Sequence, residues 1–337
     1  MAFTSTVLLE GVAKIDKSFN YVGNELRGSR YGALDAYIKS TPDALPASEL
    51  QRIKESSVHV TSIDVFQKIA NGSGTARACS GTGTGTTANV NLSYSTISES
   101  FKIGWAEHEG NRVKYQEVFD YLLDQKLRSI RERLDIACVA KLEADKAASG
   151  GSGTVFPTVV ADAKRVALAD HDTFYNGASV EMEQNDFFDD YMNVASTAQK
   201  QLMRFDAAQG GGNSINHAPF VADYDHKPTN RITDGAGVKS TSYLFSSGTV
   251  AIVPWVNSLS RAGKDIGSDV WMTMIDPVTG IEMELKIKKA CEDNSGSFAG
   301  AQADYTESFV IVFEYALLSA YSSTTNTGIY KYELLTT

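Results

Sequence analysis

The chain has 337 residues, 42% of them hydrophobic and 21% charged, which suits one large or two modest folded domains and excludes a disordered, collagen-like or staple-dependent chain. Its 31 basic residues stand against 41 acidic ones for a net charge of -10, which opposes a surface built to neutralise a phosphate backbone. Cys79, Cys138 and Cys291 form no C-x-x-C pair, so they point to neither a disulfide framework nor a zinc knuckle and suit a reducing compartment.

The opening residues MAFTSTVLLEGVAKIDK have no basic start and only a short apolar run, and no later stretch nears ~18 consecutive apolar residues. Neither a signal peptide nor a membrane span is expected. From Met1 to Ser57, apolar clusters are broken by Gly11, Gly23, Gly28, Gly32, Pro42 and Pro46, which predicts an extended arm with one short helix in GALDAYIKS. Leu8, Leu9, Phe19, Tyr21, Tyr31, Leu34 and Tyr37 then need a surface to pack on.

From Val58 to Gly104, two alternating flanks rich in β-branched and aromatic residues, VHVTSIDVFQKI and NVNLSYSTISESFKIGW, enclose the small-residue tract NGSGTARACSGTGTGTTA. The pattern predicts a long β-hairpin that needs a neighbour, because an isolated two-stranded hairpin is marginal in water. Arg112 to Ala148 contains no Gly or Pro and repeats apolar residues at helical spacing, predicting a rod of roughly 55 Å. Val118, Phe119, Leu122, Leu123, Leu127, Ile130, Leu134, Ala137, Cys138 and Leu142 form its apolar side. Glu117, Asp124, Lys126, Arg128, Arg131, Glu132, Arg133 and Asp135 are expected on a solvated face, joined by intrahelical ion pairs.

SGGSG at Ser149 to Gly153 stops the rod. Beyond it the pattern predicts a helical AKRVALAD region, a segment through Tyr191 and Val194, and a helix in STAQKQLMRFDAAQ with Leu202, Met203 and Phe205 on its apolar side. INHAPFVADYDHKPTNRITDGAGVKS reads as a polar stretch. Strands follow in TSYLFSS, GTVAIVPWV, SDVWMTMID, IEMELKIKKAC, TESFVIVFEYALLSAY and GIYKYELL. The sum is α+β: one long helix, a few short ones and many antiparallel strands.

Signals for chemistry are weak. GTGTG at Gly81 to Gly85 lacks the third glycine and the strand-to-helix setting of a dinucleotide fingerprint, so it reads as a hairpin tip. His59, His108, His171, His217 and His226 match no zinc spacing, and no G-x-S-x-G elbow accompanies them, so no nucleophile, triad or cofactor is assigned. Asp223, Asp225, His226 and His217 share a polar segment but fit no EF-hand or facial-triad pattern, so a surface loop is the simpler reading. Asp186, Asp189 and Asp190 read as capping residues. The basic residues of the rod are interleaved with acidic ones, unlike a nucleic-acid stripe.

The order of parts, with GTVAIVPWVNSLSRAG, DPVTGIEMELKIKKACED and YTESFVIVFEYAL, resembles the major capsid protein family of tailed bacteriophages, the HK-ninety-seven-type fold. The resemblance implies an N-terminal arm (1–57), an E-loop hairpin (58–104), a P-domain spine helix (105–153), a mixed α/β A-domain (154–290) and returning P-domain strands (291–337). It also implies a non-enzymatic subunit that assembles as hexamers and pentamers into an icosahedral shell. The shell would enclose double-stranded DNA without sequence-specific binding, inside a virion assembled in the host bacterial cytoplasm. A portal and separate scaffolding or decoration proteins are the implied partners, and no membrane is involved. Ile63, Val65 and Phe66 on one hairpin flank and Leu92, Tyr94 and Ile97 on the other are the candidates for contact with an adjacent subunit. An encapsulin-like compartment, a phage tail component and a metal-dependent enzyme centred on His217 and His226 are the alternatives.

Overall fold

The computed structural model describes residues 8–15, 31–66, 87–104, 112–148, 154–185, 187, 190–208, 223–267, 269–292, 304–319 and 327–336. Residues 8–15 are helical, followed by α1 (Gly32–Ala44) and α2 (Ala47–Glu55). Strands β1 (Ser62–Phe66), β2 (Thr87–Asn91) and β3 (Tyr94–Gly104) precede the 34-residue helix α3 (Arg112–Asp145). The next elements are β4 (Val159–Val160), β5 (Ala163–Val166), a 3-10 helix (Leu168–Thr173), α4 (Phe174–Gln184), β6 (Tyr191–Ser196), α5 (Gln199–Ala207) and β7 (Tyr224–Thr229). After β8 (Val238–Ser246), β9 (Val250–Trp255) and α6 (Ser258–Arg261) come β10 (Asp265–Ile266), β11 (Asp269–Ile275), β12 (Glu282–Glu292), β13 (Asp304–Ser319) and β14 (Tyr330–Leu335). The architecture is α+β, as the patterning predicts.

Helix α3 is built by its apolar stripe. Phe119, Leu123, Leu127, Ile130, Leu134, Cys138 and Leu142 recur at steps of three and four and are all fully buried. They pack on the first sheet, ordered β10-β11-β12-β13-β3 and wholly antiparallel. Phe119 meets Phe309 of β13 edge-on at 5.2 Å, and Phe101 of β3 stacks on Phe309 at 4.8 Å. One edge of β13 is taken by β3, so β12 and β9 share the other: β12 pairs with Asp304 to Val312 and β9 with Glu314 to Ser319.

The second sheet is mixed, ordered β4-β5-β14-β8-β6-β7, with β5 parallel to β14 and β6 parallel to β7. Its strands alternate between two cores. Met192, Val194, Tyr243 and Phe245 face the core shared with α1 and α3, while Tyr191 and Leu244 face an aromatic core with Phe156, Phe174, Tyr330 and Tyr332. Burial on both faces explains why these strands lack a clean polar and apolar alternation. Sheet membership follows the chain loosely: β9 to β12 lie in the first sheet, β8 and β14 in the second, and β12 runs through residue 290.

Four expectations are corrected. The helix expected in GALDAYIKS is present as α1, with Ala33, Leu34, Ala36 and Tyr37 fully buried, but the stretch read as an extended arm is helical at residues 8–15 and in α2 as well. Pro42 lies inside α1, where it removes one backbone donor, and the helix ends two residues later at Ala44, so it marks the close of a helix instead of an extended segment. Gly32 lets α1 approach β7: a Cβ there would sit 2.5 Å from the carbonyl oxygens of Lys227 and Pro228. The AKRVALAD region holds β5 instead of a helix. Lys164 is drawn in by Glu181, and Ala161 and Asp162 at φ 51° and 62° form the tight β4–β5 turn.

The polar stretch after residue 213 contains β7, an edge strand whose Lys227 and Pro228 suit an unpaired edge. Finally, the second flank of the expected hairpin divides. β1 pairs with β2, from Ser62 with Asn91 to Phe66 with Thr87, but β3 turns away to pair with β13.

Candidate functional site

The β1–β2 ribbon pairs with neither large sheet, so what holds it lies at its root. The Leu92 amide extends the pairing to the Thr61 carbonyl at 2.9 Å. Beneath it a separate small core gathers Leu45, Ile53, Ile63 and Leu92 with Ala251, Val253, Ala316 and Leu318 of β9 and β13. Burial of these side chains anchors the ribbon at about 1.5–3 kcal/mol for each large one.

Polar straps surround that core. The His59 ring stacks on Tyr94 with centroids 4.3 Å apart, meets Trp255 edge-on at 4.2 Å, and places Nε2 2.6 Å from the Glu314 carboxylate. Arg261 donates to the carbonyls of Lys54 and Ser56, and the Trp255 indole donates to the latter at 3.3 Å. Burial pushes the Tyr94 hydroxyl up to about 12, with Arg52 acting the other way. Burial also raises the Glu284 carboxyl, against the Asn257 amide at 2.5 Å and the Ser260 hydroxyl at 3.2 Å. These groups orient and hold. Among the described residues they bond to one another and to the backbone, and the arrangement is that of a firm base for the β1–β2 ribbon.

The contact candidates divide accordingly. Ile63 and Leu92 are buried in the root, Tyr94 is half-buried against His59, and Ile97 lies in the main core between β3 and α3. The side chains of Ile63, Leu92 and Ile97 are covered by the chain itself and leave little surface for a second copy. Val65 and Phe66 take part in the β1–β2 pairing, but their side chains lie outside the described residues. Residues 67–86, with Gly81 to Gly85, also lie outside them, as do Cys79, Asp186, Asp189, His108 and His217.

The acidic and histidine cluster does not converge. On β7 successive side chains alternate, sending Asp225 to Lys39 of α1 at 2.9 Å and His226 to Tyr175 and Asn193 on the other face. The bond to Asp225 raises the Lys39 ammonium above its usual value. Among the described residues no three His, Cys, Asp or Glu side chains gather as metal ligands, and no helix is long and apolar enough to cross a membrane.

The solvated face expected for α3 is also corrected. Arg131 is fully buried and grips Asp276 with two bonds, at 2.9 and 2.5 Å. Asp276 in turn accepts from the amide and hydroxyl of Thr279, fixing the β11–β12 turn. Asp135 is buried too, accepting from the Leu34 amide at 2.9 Å and the Thr229 hydroxyl at 2.6 Å, and burial raises its carboxyl. Arg128 does pair within the helix, with Asp124, but Lys126 and Arg133 reach Glu99 on β3 and Glu132 reaches Arg231. Charged residues on α3 thus join it to its neighbours. Helical period marks Arg131 and Asp135 as off the main stripe, and no local signal announces partners 145 and 94 positions away.

No protein-family model and no curated protein matches the chain. It is similar in arrangement to a solved structure from Mycobacterium phage Adephagia, at 10% identity and a TM-score of 0.44, over 87% of this chain and 90% of that one. A structure from Mycobacterium phage Bobi is 13% identical with a TM-score of 0.43, over 85% and 89% of the two chains. The holo-SrpI encapsulin complex from Synechococcus elongatus PCC 7942 is 8% identical with a TM-score of 0.43, over 86% and 88%. Likeness at this level transfers no residue role.

Proposed function

We propose that this chain is the subunit of a self-assembled protein shell with the HK-ninety-seven-type fold, and specifically a major capsid protein enclosing the double-stranded DNA of a tailed phage. The observation that carries the reading is the β1–β2 ribbon. It is strapped at its root by His59, Trp255 and Arg261, yet its strands find no third strand among the described residues. A two-stranded ribbon gains little stability alone, so a rigid root with a free projection suits a segment completed by a neighbouring copy. The sequence resemblance and the acidic balance of -10, which lets a polyanion slide within a container instead of gripping it, support the same reading.

In that role residues 1–57, 58–104, 105–153, 154–290 and 291–337 serve as arm, E-loop, spine, A-domain and returning strands of hexamers and pentamers. Val65, Phe66 and the strand residues beside them form the contact with the adjacent copy. An encapsulin-like compartment is the neighbouring reading, and the contents of the particle separate the two. Light scattering followed by electron microscopy of the purified chain tests the proposal. Closed particles of megadalton mass are the expected result, and nuclease-protected DNA in particles from infected cells favours the capsid over a compartment loaded with protein. A chain that stays monomeric at high concentration while turning over a metabolite overturns it.

A further inference from the structure

A small cavity lies where α4 and α5 cover β6 and β7, with room for about one water-sized sphere, about 10 Å³. Four nearly fully buried polar side chains line it: Tyr175, Asn193, Ser196 and Gln199. Asn193 Oδ1 and Ser196 Oγ have no hydrogen-bond partner among the described residues, and the Tyr175 hydroxyl and the Gln199 amide, which lie near enough to act on each other, make no bond of full geometry. Native interiors rarely leave even one such atom unpaired; with Tyr175 and Gln199 in reach of each other, Asn193 Oδ1, Ser196 Oγ and one end of the Gln199 amide still call for a shared partner.

The chemistry of the lining selects it. A cation is opposed by the N-terminal end of α5, where Gln199 is the first residue, and by the Lys200 ammonium, and no carboxylate lines the cavity. An anion is opposed by Asn193, whose Nδ2 is directed at His226 Nδ1 at 3.3 Å, leaving the carbonyl oxygen turned inward. The Asp206 carboxylate near Tyr175 acts against an anion as well. Burial keeps the Tyr175 hydroxyl protonated, so the lining offers donors and acceptors together. A neutral ligand of one-sphere size that both gives and takes hydrogen bonds is required.

We infer that this cavity is a binding site for a single water molecule, held by Tyr175, Asn193, Ser196 and Gln199 and joining α4 and α5 to the β6–β7 pair. Water suits a cavity of this volume with two to four polar partners. The site is independent of the assembly role proposed above.

Magnetic relaxation dispersion of solvent oxygen-17 on the purified chain reads long-lived internal water directly. Ser196→Val, confirmed as folded by circular dichroism, fills the site with a methyl group and is expected to remove one long-lived water per chain. If that variant does not fold, Gln199→Met supports the same comparison. An unchanged count in a folded variant overturns the inference. So does an anomalous peak at the site in crystals soaked with bromide or rubidium, which would make the ligand an ion. A high-resolution map showing the four side chains bonded to one another overturns it as well.

Discussion

Replacing Arg131 by Met should lower stability by about 3–5 kcal/mol, the cost of stranding one member of a buried ion pair. Both side chains are wholly screened from solvent, and the guanidinium holds both oxygens of Asp276. Methionine retains most of the aliphatic volume, so the loss is one of charge pairing more than of packing. The Asp276 carboxylate keeps its bonds from the Thr279 amide at 3.2 Å and hydroxyl at 2.6 Å, and bonds to a charged acceptor contribute about 1.5–3 kcal/mol each. They favour the lower part of the range. Adding Asp276→Asn removes the stranded charge while keeping an oxygen for the turn, and should recover about 1–3 kcal/mol. Urea unfolding followed by far-ultraviolet circular dichroism at pH 7 measures both variants at one protein concentration. The single change corresponds to a loss of roughly 10²–10⁴-fold in the folding equilibrium. A loss below about 1 kcal/mol, or a double variant no more stable than the single one, refutes the assignment of this pair as the clamp between α3 and the β11–β12 turn.

Other outcomes follow from the same contacts. Burial pushes the Glu99 carboxyl up, but Ser129, Lys126 and Arg133 outweigh it and hold it below its usual value. A depressed carboxylate stabilises the fold above its unfolded value of about 4.3 and loses that contribution as pH falls through the lower folded value. Glu99→Gln should therefore cost up to about 1 kcal/mol at pH 7, and the gap to the parent should close in acid; a gap that widens below pH 4 counts against the reasoning. Gly32→Ala places a methyl against two carbonyl oxygens of β7, and the backbone there cannot yield as a side-chain end can. A loss of about 1–3 kcal/mol in thermal or chemical unfolding is expected. Arg261→Met removes the straps to Lys54 and Ser56, so amide exchange across β1 and β2 should accelerate while the long helix stays protected; uniform exchange changes would place the effect elsewhere. Shortening the tract from Gly72 to Gly85 should damage particle formation more than chain folding, and normal particles from such a deletion weigh heavily against the shell reading.

The elements that declare themselves are those whose signal is local and repeated. The α3 stripe from Phe119 to Leu142 repeats a helical period across 34 residues with no breaker, and tertiary contacts have nothing to override. The strands from Val238 onward are similarly rich in β-branched and aromatic residues between turn signals. The misread segments are short and carry competing signals. Ala163 to Val166 is an acceptable helix in isolation and becomes a strand because β14 offers a parallel edge and Glu181 neutralises Lys164 inside the fold. Tyr224 to Thr229 is too polar to be recognised as a strand until it is seen at an edge. The glycines and prolines before Ser57 suggest an extended chain, yet Gly32 is there for close packing and Pro42 sits where a helix is ending.

The sequence by itself determined the α+β class, the long rod with its buried stripe, and the presence of a hairpin near Ile63 and Leu92. Periodicity, breakers and turn residues act over a few neighbours, so they can be read without knowing what lies across the core. Only the tertiary structure decided that β3 leaves the hairpin for β13, that β12 and β9 share one edge, and that Arg131 and Asp135 turn inward to Asp276 and Thr229. Those outcomes depend on partners up to two hundred or so positions distant, whose proximity is created by the collapse of the core and is written in no local pattern.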